Sequence, residues 1–441
     1  MDVARFNLSH GSREVHAEAI RTLREVAARQ GKTVAIMLDT RGPEVRLRTF
    51  QGRPLELRPG EELEVALADY PPSPRAIAVP YLPFEGLEAG TSLLLDDGNL
   101  ALEVLEPGRE GLRCRVVRGG LLYDRKKVSF PGKSLPLPVL SEEDVEDIRF
   151  GVEWEADFLA VSFVRSARDV ETVRALLQEA GGDQQVIAKI ESREGVEHFP
   201  EILEAADGIM VARGDMGVEY PVEEVPILQK MIIARCNRVG KPVVTATQML
   251  ESMVHLPRPT RAEASDVANA ILDGTDAVML SAETALGSYP VEAARTMSRI
   301  AERIDEALDG GELPGKIPPE PKRTVPDAIS HATCTTAHDL GAAAIVTATR
   351  SGQTARMVAK YRPRVPIIAS TPEEKVARRL KIVWGVTPIV VPEARSTEEL
   401  VADTFREAVA RGLLSPGDLA VVAAGVPAGI NMVKVERVPG G

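Results

Sequence analysis

The sequence predicts an α/β protein: a (β/α)8-type barrel with a small all-β domain inserted in it and a doubly wound α/β domain after it. Three observations carry that expectation. Short β-branched runs alternate with amphipathic stretches of helical length over much of the first 310 residues, the rhythm of a parallel sheet buried on both faces. That rhythm breaks once, for about ninety residues of short runs punctuated by Pro and Gly. A second βα series follows a Gly- and Pro-rich stretch near the chain's last quarter.

The opening "VARFNLS" alternates Arg5, Asn7 and Ser9 on one face with Ala4, Phe6 and Leu8 on the other, as a strand would. "KTVAIMLDT", "ADFLAVSFV", "QQVIAKIES", "DGIMVARGD", "KPVVTATQ" and "DAVMLSAET" supply six more candidate strands, each ending in polar residues. In a (β/α)8 barrel the site is assembled at such C-terminal strand ends. Seven strands are evident, one short of a full barrel. The barrel is expected over 1–42 and 137–312, interrupted by the inserted domain at 43–136, whose strands include "LELRPG", "EVALADY", "TSLLLDDG", "LALEVLEPG" and "LRCRVVRGG". Ser141 followed by Glu142, Glu143 and Asp144 starts a helix, with acid where the helix dipole favours it. "LDGGELPGKIPPEPKR" is a linker, and "AAAIVTAT", "VPIIAST", "VTPIVV", "DLAVVAAG" and "VKVERV" build the last domain, 322–441.

Composition excludes several classes. At 44% hydrophobic and 27% charged residues the chain is no disordered segment. A net charge of −12 with no basic stripe argues against nucleic acid as a partner. Cys114, Cys236 and Cys334 are too scattered for a disulfide framework or a thiolate zinc site. No apolar run approaches a membrane span, and the first residues show no leader pattern, so a cytoplasmic protein without membrane contact is expected.

Lys189 and Glu191 lie two apart at one strand end, and Arg213, Gly214 and Asp215 end the next. Two carboxylates on neighbouring strands, with few histidines nearby, suit magnesium or manganese, or else an ion-pair network with Lys189 and Arg213. Thr247, Ser281 and Glu283 also end strands, as site groups or as caps of the following helices. No Ser/His/Asp or Cys/His set is apparent, which leaves positioning and electrostatics as the chemistry. Asp96 and Asp97 before Gly98 read as a hairpin turn. In the last domain "TATRSGQT" offers Thr349, Arg350, Ser351, Gly352 and Thr354 in a strand-to-helix turn, a candidate phosphate site or an ordinary βα connection.

In order along the chain, "DVARFNLSHG", "LDTRGPEVR", "DDG", "KKVSFPG", "AKIE", "MVARGDMG", "ATQMLESM" and "VMLSAET" resemble the motifs of the pyruvate kinases, and the match runs along nearly the whole sequence. The resemblance implies a barrel, a mobile lid domain inserted after the family's third strand, a C-terminal effector domain and a homotetramer. It implies glycolytic phosphoryl transfer from phosphoenolpyruvate to ADP, giving pyruvate and ATP, with Mg2+ or Mn2+ and K+. The family's "TIGP"-like first strand and its helix have no counterpart before "DVARFNLSHG", so a chain shortened by one βα unit is expected.

Roles follow by resemblance. Arg5 would bind the transferred phosphate, and Asn7, Ser9, Asp39 and Thr40 would hold potassium. Lys189 would stabilise the migrating phosphoryl group and the enolate, with Glu191 and Asp215 holding the divalent ion. Thr247 and the turn at Gly214 would orient the substrate carboxylate, while Ser281 and Glu283 would join the proton relay. Arg46, Asn7 and Lys126 would meet the nucleotide phosphates, with His10 nearby and Asp97 swinging in with the lid. The "TATRSGQT" turn would take a phosphorylated effector. Two residues depart from the lid motif: Lys127 stands at its Gly and Ser129 at its Asn, leaving open which of Lys126 and Lys127 faces the nucleotide. Glu44 and Thr40 point to potassium dependence, since members that dispense with the ion carry Lys and an apolar residue there, whereas Leu47 points the other way. Two other functions fit parts of the pattern: a magnesium-dependent carbon–carbon lyase on a related barrel, which needs no lid, and a non-catalytic effector-binding subunit.

Overall fold

The computed structural model describes residues 1–48, 54–69, 71, 73, 75–82, 87–108, 111–133, 137–309, 324–425 and 430–440. The expected linker falls largely at 310–323, outside the described residues.

The seven expected barrel strands form one curled parallel sheet, in the order Val3–Asn7, Ala35–Asp39, Phe158–Val161, Gln185–Ile190, Gly208–Ala212, Val243–Ala246 and Ala277–Val278. Their alternation separates two environments. Ile36, Leu38, Leu159, Val161, Val186 and Ala188 face the helical layer. Ala35, Met37, Phe158, Ala160, Ile187 and Met210 face inward and pack on toward the C-terminal domain. The period of two therefore puts Arg5, Asp39, Lys189 and Glu191 on the inner side as well, at the C-terminal mouth. The helix Glu142–Glu153 starts as expected: Ser141 Oγ accepts the Asp144 amide at 3.0 Å and the Asp144 carboxylate accepts the Ser141 amide at 3.0 Å.

The inserted domain is a seven-stranded sheet plus a two-stranded ribbon. The five expected runs are strands, and four more join them: Val45–Arg46, Ala76–Val79, Gly120–Leu122 and Lys127–Ser129. These escape a sequence reading because they are short and flanked by Gly, Pro or charge; tertiary pairing decides them. Asp96 and Asp97 make the hairpin turn, at φ 52° and 53°, between Ser92–Leu95 and Leu100–Pro107.

In the last domain the strands run Val386–Val390, Ile367–Thr371, Ala344–Ala348, Leu419–Ala424 and Met432–Arg437, the last antiparallel. Apolar clusters cover both faces of this sheet, as a doubly wound fold requires. Polar ties cross its seam with the barrel. Arg378 Nε donates to Asp157 at 2.9 Å, and Arg379 and Lys375 meet Asp183. Arg362, held at φ 48° over the Trp384 ring, donates to the Gly274 carbonyl at 2.8 Å and pairs with Asp276 at 3.1 Å. The Asp276 carboxylate also accepts the amides of Val243 (3.0 Å) and Trp384 (3.2 Å). The three cysteines are free. No helix among the described residues is long and apolar enough to cross a membrane.

Candidate active site

At the barrel mouth the strand ends bring a ring of charge together. Strand pairing sets Asn7 opposite Asp39. Arg5 Nε donates to Asp39 Oδ2 at 2.6 Å, and Lys189 Nζ donates to Asp39 Oδ1 at 3.0 Å. Lys189 also reaches Ser162 Oγ at 2.7 Å and lies 3.1 Å from Glu191 Oε1. Burial works against the charge on Lys189, but Asp39 and Glu191 outweigh it and hold its pKa above the ordinary lysine value. Asp39 is fully buried, which alone would raise its pKa; Lys189 and Arg5 pull it below the ordinary value instead.

The two candidate metal carboxylates differ. Burial, with help from Asp215, pushes Glu191 up to about 7 against the pull of Lys189. Asp215 is drawn below its ordinary value: burial opposes this, but Lys127 overcomes it. Glu191 Oε2 accepts the Phe163 amide at 2.6 Å, while buried Oε1 has only the Lys189 ammonium beside it, 3.1 Å away and not aligned as a hydrogen bond. A buried carboxylate oxygen so poorly satisfied costs free energy, and a hard cation would satisfy it. Among the described residues no set of three or more His, Cys, Asp or Glu is spaced to hold a metal. Two carboxylates suit magnesium, which keeps waters and substrate oxygens as its other ligands.

Local backbone strain serves this geometry. Phe163 sits at φ 55°, rare for an aromatic residue, which aims its amide at Glu191 and its ring under Lys127 Nζ, 4.5 Å from the centroid. Gly42 lies against it at φ 72°, where a Cβ would stand 2.7 Å from the Ser162 Cβ, so this position of "DTRGPEVR" demands glycine. Thr247 and Gln248 are also left-handed, at φ 69° and 54°. Arg213 clamps that turn, donating to the Thr247 carbonyl at 2.6 Å and the Ala246 carbonyl at 3.2 Å, and bonding Asp266 at 2.8 Å. The Gly214 amide donates to Thr247 Oγ1 at 2.8 Å, so both substrate-turn candidates meet.

Other candidates lie further out or serve the frame. The Asn7 side chain accepts the Ser9 amide at 3.1 Å, and Thr40 Oγ1 accepts the Ser162 amide at 3.1 Å. Oxygens of Asn7, Ser9, Asp39 and Thr40 on two adjacent strand ends make a donor set that suits potassium. His10 is exposed, its carbonyl 2.7 Å from His16 Nε2. Glu283 is buried and both its oxygens accept main-chain amides, Ser281 at 2.7 Å and Leu250 at 3.1 Å. Its place is that of a brace between two strand-end loops, and Ser281 is tied to it.

The lid lysines separate. Lys126 pairs with Asp96 inside the lid at 2.6 Å. Lys127 reaches across to the barrel, bonding Asp215 and lying 3.5 Å from Glu44. Burial disfavours its charge, but Asp215 and Glu44 hold its pKa above the ordinary value. Glu44 is thus no lone negative charge, since Arg46 also grips it at 2.6 and 2.9 Å. A cavity of about 250 Å3 lies between lid and barrel, lined by Glu44, Lys127, Phe163, Arg193, Asp215 and Glu219. Asp97 has its pKa raised by loss of water and by Asp215 and its other acidic neighbours, against the pull of Lys127.

Sequence reasoning passed over Ser162, Phe163 and the clamping role of Arg213. The only signal was position, "SF" at a strand end and Arg beside Gly-Asp. In the last domain Thr349, Arg350, Ser351 and Thr354 line a cavity of about 310 Å3. Thr349 Oγ1 accepts the Gly352 amide at 2.8 Å, and Arg350 pairs with Glu393 across the opening.

Residues 1–294 match the family model "Pyruvate kinase, barrel domain", and residues 327–436 match "Pyruvate kinase, alpha/beta domain". The chain is 49% identical to the pyruvate kinase of Geobacillus stearothermophilus, over 99% of this chain and 76% of that protein. With the pyruvate kinase of Clostridium acetobutylicum it shares 45% identity, over 99% and 94% of the two chains. A solved pyruvate kinase from Cryptosporidium parvum superposes with a TM-score of 0.91 at 40% identity, covering all of this chain and 91% of that one.

Proposed function

From the premise that the chain belongs to the pyruvate kinase family and transfers a phosphoryl group from phosphoenolpyruvate to ADP, we propose how its own residues perform that transfer. The observation that carries the reading is the enclosed Lys189 ammonium, held between Asp39, Ser162 and Glu191 at the barrel mouth.

Arg5 and Lys189 receive the phosphoryl group. Both are fixed by Asp39 before substrate arrives, so their charge meets the transition state with little reorganisation. Lys189 stays protonated through the cycle, because two carboxylates hold its proton. It acts as an electrostatic stabiliser and not as a base. The Gly214 amide and the Thr247 hydroxyl, kept in place by Arg213, orient the substrate carboxylate. Glu191 and Asp215 would hold the divalent cation, which when bound draws charge off the enolate and phosphoryl oxygens. Asn7, Ser9, Asp39 and Thr40 would hold potassium, which adds positive charge beside the transferred group. Ser281, positioned by Glu283, joins the path by which a proton reaches the enolate carbon. Arg46, Asn7 and Lys126, with His10 at the rim, take the nucleotide phosphates. Asp97 enters with the lid, which keeps water from the phosphoryl group.

The turn Thr349–Thr354 takes a phosphorylated effector, supported by the cavity it lines. The chain assembles as a homotetramer, a reading to which exposed Leu256, Leu286 and Val291 lend support. Release of pyruvate from phosphoenolpyruvate, followed with and without ADP, tests the whole reading. ADP-dependent release with equimolar ATP is expected; ADP-independent release or none overturns it.

A further inference from the structure

Lys127 stands where the lid motif of the pyruvate kinases carries glycine, and it bonds a candidate metal carboxylate, Asp215, from the lid. The strand Lys127–Ser129 explains its direction. Val128 is buried in the lid core, so Lys127 and Ser129 project to the opposite face. Lys126, one residue earlier, is held by Asp96 inside the lid. Lys127 therefore turns toward the barrel, where it bonds Asp215, lies 3.5 Å from Glu44 and stacks over Phe163. Its side chain is only 10% exposed. A second tie runs beside it, from the Gly132 amide to the Glu219 carboxylate at 3.2 Å.

We propose that Lys127 is a positioning residue that serves as a built-in counter-ion: it neutralises Asp215 while no divalent cation is bound, ties the lid to the barrel, and is exchanged for the cation on loading. This rests on Asp215 and Glu191 being the divalent site. With Lys127 on Asp215 Oδ1, a hard cation at the same carboxylate stands within a few ångströms of the ammonium, and the repulsion between the two charges favours one occupant over both. Loading the cation frees the Lys127 ammonium inside the same cavity, where Glu44 remains its partner and a phosphate oxygen can become one. Glycine at this position makes neither contact. The exchange makes this chain's cation affinity lower without substrate, and couples cation entry to release of the lid.

Titration of the unliganded protein with Mn2+, reading free ion by electron paramagnetic resonance, tests this in the parent and in Lys127→Met, Lys127→Gly and Asp215→Asn. Both Lys127 variants should bind Mn2+ at least about tenfold more tightly than the parent. Amide hydrogen exchange over 128–133 should rise with Mn2+ in the parent and be high from the start in the two variants. Equal affinity in the parent and both Lys127 variants, with Asp215→Asn weakened, overturns the proposal and leaves the metal site standing. Undiminished binding by Asp215→Asn overturns the metal-site assignment and this proposal with it.

Discussion

The barrel mouth and the Thr349–Thr354 turn of the last domain are both βα strand ends furnished with arginine, hydroxyls and main-chain amides, yet they treat charge in opposite ways. At the mouth, Lys189 is 11% exposed and bonded on three sides, and its acid partners are buried. In the last domain's turn, Arg350 is 76% exposed and its partner Glu393 is 66% exposed. The first arrangement is paid for by folding and is ready before any ligand binds, as electrostatic catalysis requires. The second is screened by water and held weakly, so an anion can take Arg350 from Glu393 at little cost. A catalytic site has to be stiff; a regulatory one has to be exchangeable.

The most damaging way to break that contrast is Lys189→Met. It should lower phosphoryl transfer by roughly 10^3-fold or more, with pyruvate enolisation, followed by proton exchange, affected less. Equal loss in both would make the lysine a substrate-binding group. Replacing potassium with tetramethylammonium at fixed ionic strength should lower kcat by about tenfold or more, since a missing unit charge within a few ångströms is not made up by solvent. Glu44→Lys should not restore full activity, because Arg46 and Lys127 already occupy the space around that carboxylate. Potassium-independent turnover in the parent would refute the proposed ion site.

At the other site, Arg350→Ala with Ser351→Ala should abolish activation by a sugar phosphate or nucleotide monophosphate, leaving the unactivated rate and thermal stability as they were. Persistent activation would place the effector elsewhere. The smallest effect is expected at the seam between the two regions. Burial raises the Asp183 carboxyl, but Lys375 and Arg379 bring it below its ordinary 3.8. A depressed carboxylate adds stability above its unfolded-state pKa and loses it as pH falls through the folded one. Docking of the last domain should therefore hold at neutral pH and weaken below about pH 3.8, and Asp183→Asn should flatten that acid limb in a urea-melt series.

The seven barrel strands were legible as short apolar runs set apart by longer segments, five of them buried almost throughout. Lys189 and Glu191 could be grouped because the strand period puts them on one face, while Arg5 and Asp39 joined them through the family resemblance. What stayed hidden depends on a single residue of register or on strain. Lys126 and Lys127 look alike in sequence, and only the start of the strand at Lys127 decides which faces the barrel. Phe163 at φ 55° and the Arg213 clamp on two carbonyls follow from backbone paths that no residue pattern states. Glu283 was ambiguous in a different way, because a buried acid that braces main-chain amides carries the same letter as one that moves protons.

Asp276 ties Arg362 and Trp384 of the last domain to the Val243 amide, at the foot of the strand Val243–Ala246. The head of that strand runs straight into Thr247, whose carbonyl Arg213 grips. Four extended residues span about 13 Å and, hydrogen-bonded to neighbours on both sides, neither stretch nor buckle. The strand is a strut with one end tied to the last domain and the other carrying the Thr247 turn. A short main-chain path thus joins the Trp384 amide to the Thr247 carbonyl, through one carboxylate and one paired strand.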